Sequence, residues 1–253
     1  MDLGLQERAF VVTGGSRGLG RATAEVLLAE GAHVVLAARD ADRLASTVAA
    51  LGVPDRALGV PTDLAEPGAE ERLVAAAVAR FGRLDGALIS CGGPPAGTVL
   101  QTGDDVWRSA FESVFLGPVR ASRALAAAMD DGGALAFVLS SSVREPIPGL
   151  SISNGLRPGL GGVVKDLATE LAPRAIRVNG LMPGWINTDR TRELDAQVGR
   201  GESHRRRKES DIPLGRYGDP IEFGTVAAFV LSAAASYLTG AMIPVDGGAR
   251  RSI

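Results

Sequence analysis

The feature that most constrains the fold is a strict alternation of two kinds of segment along the chain. Short runs rich in β-branched residues, typical of buried strands, alternate with longer stretches rich in alanine and leucine, typical of helices. Strands separated by helices pair in parallel through right-handed crossovers, and the helices then cover both faces of the sheet. The sequence therefore predicts an α/β fold whose sheet is predominantly parallel, doubly wound and seven-stranded.

The predicted elements follow directly from this alternation. Pro118 falls inside one helical stretch and is expected to kink or break it, because proline has no backbone N–H. Asp219 and Pro220 predict a capped start for a late helix. Since nothing marks a linker or a repeat, residues 1–253 are predicted to form one domain. Strands are predicted over residues 9–12, 33–37, 57–60, 86–89, 134–139, 176–181 and 242–245, and helices over 18–30, 40–51, 69–81, 104–129 and 160–172.

The composition excludes several classes of function. Of the 253 residues, 45% are apolar and 22% are charged, a balance typical of a globular protein. The formal net charge of −2 gives no general attraction to nucleic acid or to an anionic membrane, and no apolar run is long enough to span one. With two histidines and one cysteine, the chain is predicted to hold no metal and no internal disulfide, and a cytoplasmic location is expected.

A glycine-rich turn joins the first predicted strand to the first predicted helix. It reads TGGSRGLG over residues 13–20. Its glycines let the free N–H groups of a helix N-terminus approach a pyrophosphate, and strand, glycines and helix follow in the order that a dinucleotide site requires. We therefore predict a sheet of the Rossmann type and a cofactor cradle formed by Gly14, Ser16, Arg17, Gly18, Leu19 and Gly20.

The end of the second strand indicates which dinucleotide is bound. Sites for NAD usually place a carboxylate here, whereas Arg39 offers a guanidinium that suits the 2′-phosphate of NADP. Arg17 is a second candidate partner for that phosphate. NADP(H) is therefore the predicted cofactor, and the neighbouring Asp40 keeps NAD(H) as the alternative. Two solvated surface arginines would explain the same residues without any cofactor preference.

The chain resembles the short-chain dehydrogenase/reductase family over essentially its whole length, and in particular its 3-oxoacyl carrier-protein reductases. TGGSRGLG resembles the phosphate loop of the family, and TDL, residues 62–64, resembles the stretch that meets the adenine. MPGWINT, residues 182–188, resembles the segment beside the nicotinamide, and IPLGRYGDP, SYLTG and VDGG resemble the C-terminal pieces. The resemblance implies further cofactor contacts at Asp63, Leu64, Gly92, Pro183, Gly184, Ile186 and Thr188.

The same resemblance implies an altered catalytic group. The family uses an Asn, Ser, Tyr and Lys tetrad; here the Tyr position falls on Ser153, the Lys position on Arg157 and the Asn position on a valine. The serine position is assigned to Ser140, with Ser141 and Ser142 adjacent in the same run. Ser140, Ser153 and Arg157 are the predicted catalytic residues, and Arg157 is also expected to donate hydrogen bonds to the cofactor ribose.

Three functions are compatible with this pattern. The first is an NADP(H)-dependent oxidoreductase that moves a hydride to or from a small carbonyl or alcohol by an unusual proton route. That route follows from the altered pair, because serine is a far weaker acid than tyrosine and a guanidinium keeps its proton. The second is a catalytically impaired NADP-binding regulatory protein, and the third is a lyase or isomerase on the same fold. The family also implies a small-molecule substrate and a homodimer or homotetramer.

A polar stretch near residues 186–215 is expected to form a substrate lid, as the family often does. It contains four consecutive basic residues, RRRK at 205–208. The favoured interpretation is a solvated loop that acidic neighbours partly neutralise. The alternative is a contact with a phosphorylated or carrier-bound acyl substrate.

Overall fold

The computed structural model describes residues 2–197 and 201–251. Across these residues, seven parallel strands form one sheet in the order β3-β2-β1-β4-β5-β6-β7, which confirms the predicted architecture. The strands are β1 (Ala9–Thr13), β2 (His33–Ala38), β3 (Ala57–Pro61), β4 (Gly86–Ile89), β5 (Ala134–Val138), β6 (Arg177–Pro183) and β7 (Met242–Val245). The α-helices are α1 (Gly18–Ala29), α2 (Ala41–Leu51), α3 (Ala69–Phe81), α4 (Asp104–Phe111), α5 (Gly117–Ala128), α6 (Ser151–Glu170), α7 (Asp189–Gln197), α8 (Gly201–Asp211) and α9 (Pro220–Leu231).

The strand order places a crevice at the centre of the sheet. β1 pairs with β2 on one side and with β4 on the other, so the direction of winding reverses between β1 and β4. At such a switch point the loops after the two strands leave in opposite directions, and ligands bind outside the carboxyl ends. The glycine-rich turn follows β1 and therefore opens into this crevice.

Apolar layers cover both faces of the sheet. On one face Leu27 of α1 and Phe223 of α9 are fully buried beside Phe10 of β1. Helices α1 and α9 approach closely because Gly224 has no side chain: a Cβ atom there would lie 2.6 Å from the main-chain oxygen of Ala22. On the other face Leu73 and Leu125 from α3 and α5 are buried on the sheet. Burying each such side chain contributes roughly 1.5–3 kcal/mol.

The interruption predicted at Pro118 takes the form of a π-helical turn. The segment Glu112–Leu116 is π-helical, and α5 begins at Gly117 with Pro118 in its first turn. The chain stays helical on both sides of this turn, and a proline inside a helix removes one i→i−4 hydrogen bond, so the wider π turn accommodates that loss. The close contact of Gly117 with the main chain of Leu64, whose oxygen would lie 2.3 Å from an added Cβ, fixes the place where the helix changes.

Helix α6 begins at Ser151, nine residues before the start predicted at residue 160, so that prediction was wrong. Gly155, Pro158 and Gly159 resemble helix breakers in the sequence. In the structure the two glycines admit aromatic rings: an added Cβ would lie 3.1 Å from the indole of Trp107 at Gly155 and 3.1 Å from the ring of Phe115 at Gly159. Tertiary packing therefore outweighs local propensity at these positions.

The polar stretch predicted as a lid contains two helices. α7 and α8 account for most of residues 186–215, while residues 198–200 lie outside the described part of the chain. The basic run at 205–208 lies on α8, so its prediction as a loop was wrong. Within the described residues, no helix is both long and apolar enough to cross a membrane.

Candidate active site

One cavity of about 1470 Å³ lies at the carboxyl ends of the central strands. Every residue that the sequence singled out as cofactor-binding or catalytic lines it. Within the described chain, no cluster of three or more histidine, cysteine, aspartate or glutamate side chains has the geometry to hold a metal ion.

The glycine-rich turn is shaped by contacts that only glycine permits. Gly14 has φ +62°, and a Cβ there would lie 2.8 Å from the main-chain oxygen of Ser90. At Gly20 a Cβ would lie 2.4 Å from the oxygen of Gly14. The hydroxyl of Thr13 donates to the oxygen of Ser90 at 2.8 Å and accepts from its N–H at 2.7 Å, which ties the ends of β1 and β4 together. The turn is thus held rigid at the floor of the cavity.

Two cationic side chains beyond β2 line the cavity: Arg39 directly after the strand and Arg43 in the first turn of α2. Arg39 is exposed, and its guanidinium makes no hydrogen bond or ion pair with the residues that the structure describes. Asp40 caps α2: its carboxylate accepts a hydrogen bond from the N–H of Arg43 at 3.0 Å and lies 3.6 Å from Nε of the same residue. Asp40 also lines the cavity, but its carboxylate already caps α2 and lies beside a cation, and Arg43 is a cavity residue that the sequence analysis missed. Its position one helical turn beyond Arg39 was the available signal.

The loop after β3 forms a hydrogen-bonded turn at Asp63. The carboxylate of Asp63 accepts a hydrogen bond from the N–H of Ala65 at 3.0 Å, and Leu64 is buried beside it. Both residues line the same cavity. This local bond holds the loop in a fixed turn at the edge of the cleft.

The serines form a short hydrogen-bonded chain. Ser140 accepts a hydrogen bond from the N–H of Ser142 at 3.1 Å, and the hydroxyls of Ser142 and Ser153 lie 3.0 Å apart. Ser142 and Ser153 are buried, whereas Ser140 and Ser141 are partly exposed to the cavity. The partner of Ser153 is thus Ser142, a contact that the sequence analysis did not assign.

Arg157 joins the ends of two strands. Its Nη1 atom donates to the oxygen of Val138 at 2.6 Å, and its Nη2 atom donates to the oxygen of Gly92 at 2.7 Å. The residue is only 4% exposed, and among the described residues no carboxylate pairs with it. Two of its donors are therefore bound to main-chain carbonyls, and a buried positive charge lies uncompensated on the cavity wall.

Comparison with known proteins places this geometry in a family. The family model described as enoyl-(acyl carrier protein) reductase matches residues 14–250. Human dehydrogenase/reductase SDR family member 4 is 33% identical over 249 residues, which cover 96% of this chain and 88% of that protein. The chain belongs to the short-chain dehydrogenase/reductase family.

Solved structures of oxidoreductases in this family superpose closely on the chain. The L-sorbose reductase of Gluconobacter frateurii, complexed with NADPH and L-sorbose, gives a TM-score of 0.92 at 29% identity, with all of both chains covered. A short-chain oxidoreductase of Pseudomonas aeruginosa, whose structure is described as containing an atypical catalytic center, gives 0.90 at 28% identity, covering 99% of this chain and 100% of that one. The resemblance inferred from the sequence motifs is confirmed at the level of the family.

In this family member, the segment after β6 contributes an aromatic wall. Trp185 lines the cavity and stacks on Tyr217, with ring centroids 5.9 Å apart. The hydroxyl of Tyr217 donates to Asp195 at 3.2 Å, and burial together with this carboxylate raises the pKa of Tyr217. Tyr217 is thus a poor proton donor, and its bond to Asp195 ties α7 to the loop before α9.

Two members of the basic run pack on these rings. Nζ of Lys208 lies 3.0 Å from the centroid of the Trp185 ring, and the guanidinium of Arg205 lies 4.7 Å from that of Tyr217. Burial lowers the pKa of Lys208, and the charge of Asp195 at 3.9 Å opposes this effect. Cation–π contacts of this kind hold α8 against Trp185 and Tyr217, behind the aromatic wall of the cavity.

Proposed function

We propose that the protein is an NADP(H)-dependent oxidoreductase that moves a hydride to or from a small carbonyl or alcohol. The observation that carries this proposal is the common cavity, in which the glycine turn, the guanidinium groups of Arg39 and Arg43 and the buried Arg157 lie together. When bound, the nicotinamide supplies the hydride, and the residues of the chain orient the substrate and stabilise charge. The NADPH held by the related L-sorbose reductase supports this choice of cofactor.

The cofactor site is proposed to follow the cleft from α2 to β6. The N–H groups of Gly14, Ser16, Gly18, Leu19 and Gly20 face the pyrophosphate, and Arg39 and Arg43, together with Arg17, take the 2′-phosphate. Asp40 does not oppose that phosphate strongly, because it caps α2 and lies beside Arg43. The remaining proposed contacts are Asp63, Leu64, Gly92, Pro183, Gly184, Ile186 and Thr188, all of which line the cavity.

NADPH is expected to bind at least tenfold more tightly than NADH. Arg39→Ala and Arg43→Ala should each lower the affinity for NADPH about tenfold and leave the affinity for NADH within twofold. The reason is that only NADPH carries the phosphate that these cations contact. Calorimetric titration of NADPH and NADH into the unmodified protein and each variant measures this preference. Arg21→Ala is the matched control, since Arg21 pairs with Glu25 and does not line the cavity. Equal affinities in the unmodified protein would contradict the cofactor assignment.

We propose that Ser153 and Arg157 occupy the positions of the usual tyrosine and lysine, so that the site works without a phenol. Ser140 and Ser153 donate hydrogen bonds to the substrate oxygen, and the charge of Arg157 stabilises the alkoxide that hydride transfer creates. The proton then comes from water or from the substrate itself. The atypical catalytic center described for the Pseudomonas relative supports the view that the fold tolerates such a change.

A second candidate function is nucleotide binding without turnover. It is favoured by one observation, that the polar groups of the altered pair already have partners within the chain. The hydroxyl of Ser153 contacts that of Ser142, and two donors of Arg157 are hydrogen-bonded to main-chain oxygens. Incubation with NADPH and a panel of carbonyl and enone substrates separates the candidates. Tight binding with no NADPH consumption supports the regulatory function, and product formed without net consumption supports a lyase or isomerase.

We further propose one domain over residues 1–253, with a substrate lid near 186–215 formed mainly by α7 and α8. The lid would cover a small-molecule substrate, including a carrier-bound one, and the lone cysteine fits a cytoplasmic location.

A homodimer or homotetramer is proposed, since apolar side chains such as Leu100 and Phe111 remain exposed. Light scattering during gel filtration measures the oligomeric state.

A further inference from the structure

Two carboxylates of α7 hold the arginine of the glycine-rich turn. Nη1 of Arg17 lies 3.4 Å from the carboxylate of Glu193 and 3.7 Å from that of Asp189. All three side chains are about half exposed, and all three line the cavity. The guanidinium expected to meet the 2′-phosphate is therefore directed toward α7 in this structure.

Helix α7 is also held by a contact that does not involve Arg17. Nη2 of Arg190 donates to the oxygen of Pro94 at 2.6 Å, and its Nη1 lies 4.0 Å from Glu193. Gly93 makes room for this side chain, because a Cβ there would lie 2.7 Å from Nε of Arg190. Burial lowers the pKa of Arg190, the charge of Glu193 opposes this effect, and the charge of Arg17 adds to it. If Arg17 leaves, Glu193 keeps a cationic neighbour and α7 keeps its contact with the loop after β4.

We propose that Glu193 and Asp189 set the cofactor preference by competing with the 2′-phosphate for Arg17. The inference rests on the NADP(H) site proposed above. Ion pairs between half-exposed groups are weak, whereas a phosphate carries nearly two negative charges and three acceptor oxygens, so the exchange of partners favours the phosphate. NADH lacks that phosphate and leaves Arg17 on α7. The two carboxylates thus lower the affinity for NADPH without acting on the rest of the dinucleotide.

Glu193→Gln tests the competition, because it removes the charge and keeps the shape of the side chain. We expect NADPH and 2′,5′-ADP to bind about three- to tenfold more tightly by calorimetry, with NADH and 5′-ADP within twofold. Asp189→Asn should shift the affinities in the same direction but by less, since Asp189 also pairs with Arg192. Asp105→Asn is the control: it removes the same charge from the cavity rim, where Asp105 pairs with Arg108 and does not contact Arg17.

A double-mutant cycle with Arg17→Gln separates competition from a simple field effect. If the carboxylates act through Arg17, Glu193→Gln changes NADPH affinity by less than twofold once Arg17 is replaced. An equal gain in both backgrounds, an equal gain for NADH, an equal gain in the Asp105 control, or no gain at all would each overturn the inference. Failure of the unmodified protein to bind NADPH would instead overturn the proposed cofactor.

Discussion

Replacing Arg157 by Met is expected to lower turnover by about 10²- to 10³-fold and the free energy of unfolding by about 2 kcal/mol. The loss of turnover follows because the buried guanidinium is the positive charge proposed to face the developing alkoxide. The loss of stability follows because the oxygen of Val138 is left buried without a donor. The oxygen of Gly92 lies in an exposed loop and regains water, which limits the cost. Urea unfolding and steady-state NADPH consumption measure the two effects.

Arg157→Lys serves as the control for charge. The ammonium keeps the positive charge but bonds to one carbonyl where the guanidinium bonds to two, so turnover should remain within about tenfold of the unmodified protein. A methionine variant that keeps both its stability and its turnover would show that Arg157 neither stabilises the strand ends nor faces the reacting oxygen.

Introducing the usual pair as Ser153→Tyr with Arg157→Lys is expected to raise the rate of carbonyl reduction by about 10²-fold. A phenol is a much stronger acid than a serine hydroxyl, and a neighbouring ammonium favours its ionised form. A positioned acid supplies a rate factor of about 10² to 10⁴, and the lower figure is expected because Ser142 now fills the space beside residue 153. Initial rates with NADPH and the carbonyl panel provide the measurement.

The matched control for this gain is Ser153→Phe with Arg157→Lys, which supplies the ring and the ammonium but no hydroxyl. It should show no gain in the rate of carbonyl reduction, because it lacks the phenolic hydroxyl that would supply the proton. A gain that the phenylalanine variant shares would assign the effect to packing, and no gain in either variant would place the acid–base position elsewhere in the cavity.

Asp40 and Arg43 illustrate why the cofactor site could be predicted only in part. The sequence identified Arg39 at the end of β2, because the spacing from the glycine-rich turn is local along the chain. It left Asp40 as a possible ribose partner, whereas the structure assigns its carboxylate to the N-terminus of α2. Whether a side chain caps a helix depends on backbone torsions, which composition does not reveal.

The serine run shows the same limit at the catalytic group. The family resemblance placed Ser153 and Arg157 one helical turn apart, and both line the cavity. It did not reveal that Ser142, and not Ser140, contacts the hydroxyl of Ser153. That pairing depends on a short 3₁₀ turn after β5 that aims successive serines in different directions.

The sequence by itself determined the alternation of strands and helices, the parallel sheet and the phosphate-binding turn, because these follow from periodicity and from glycines at short spacing. Tertiary structure decided where α6 begins, which carboxylates hold Arg17 and which carbonyls bind Arg157. Each of these depends on contacts between segments far apart in the chain: Trp107 against Gly155, α7 against the turn after β1, and α6 against the ends of β4 and β5. Such contacts exist only once the sheet has brought those segments together.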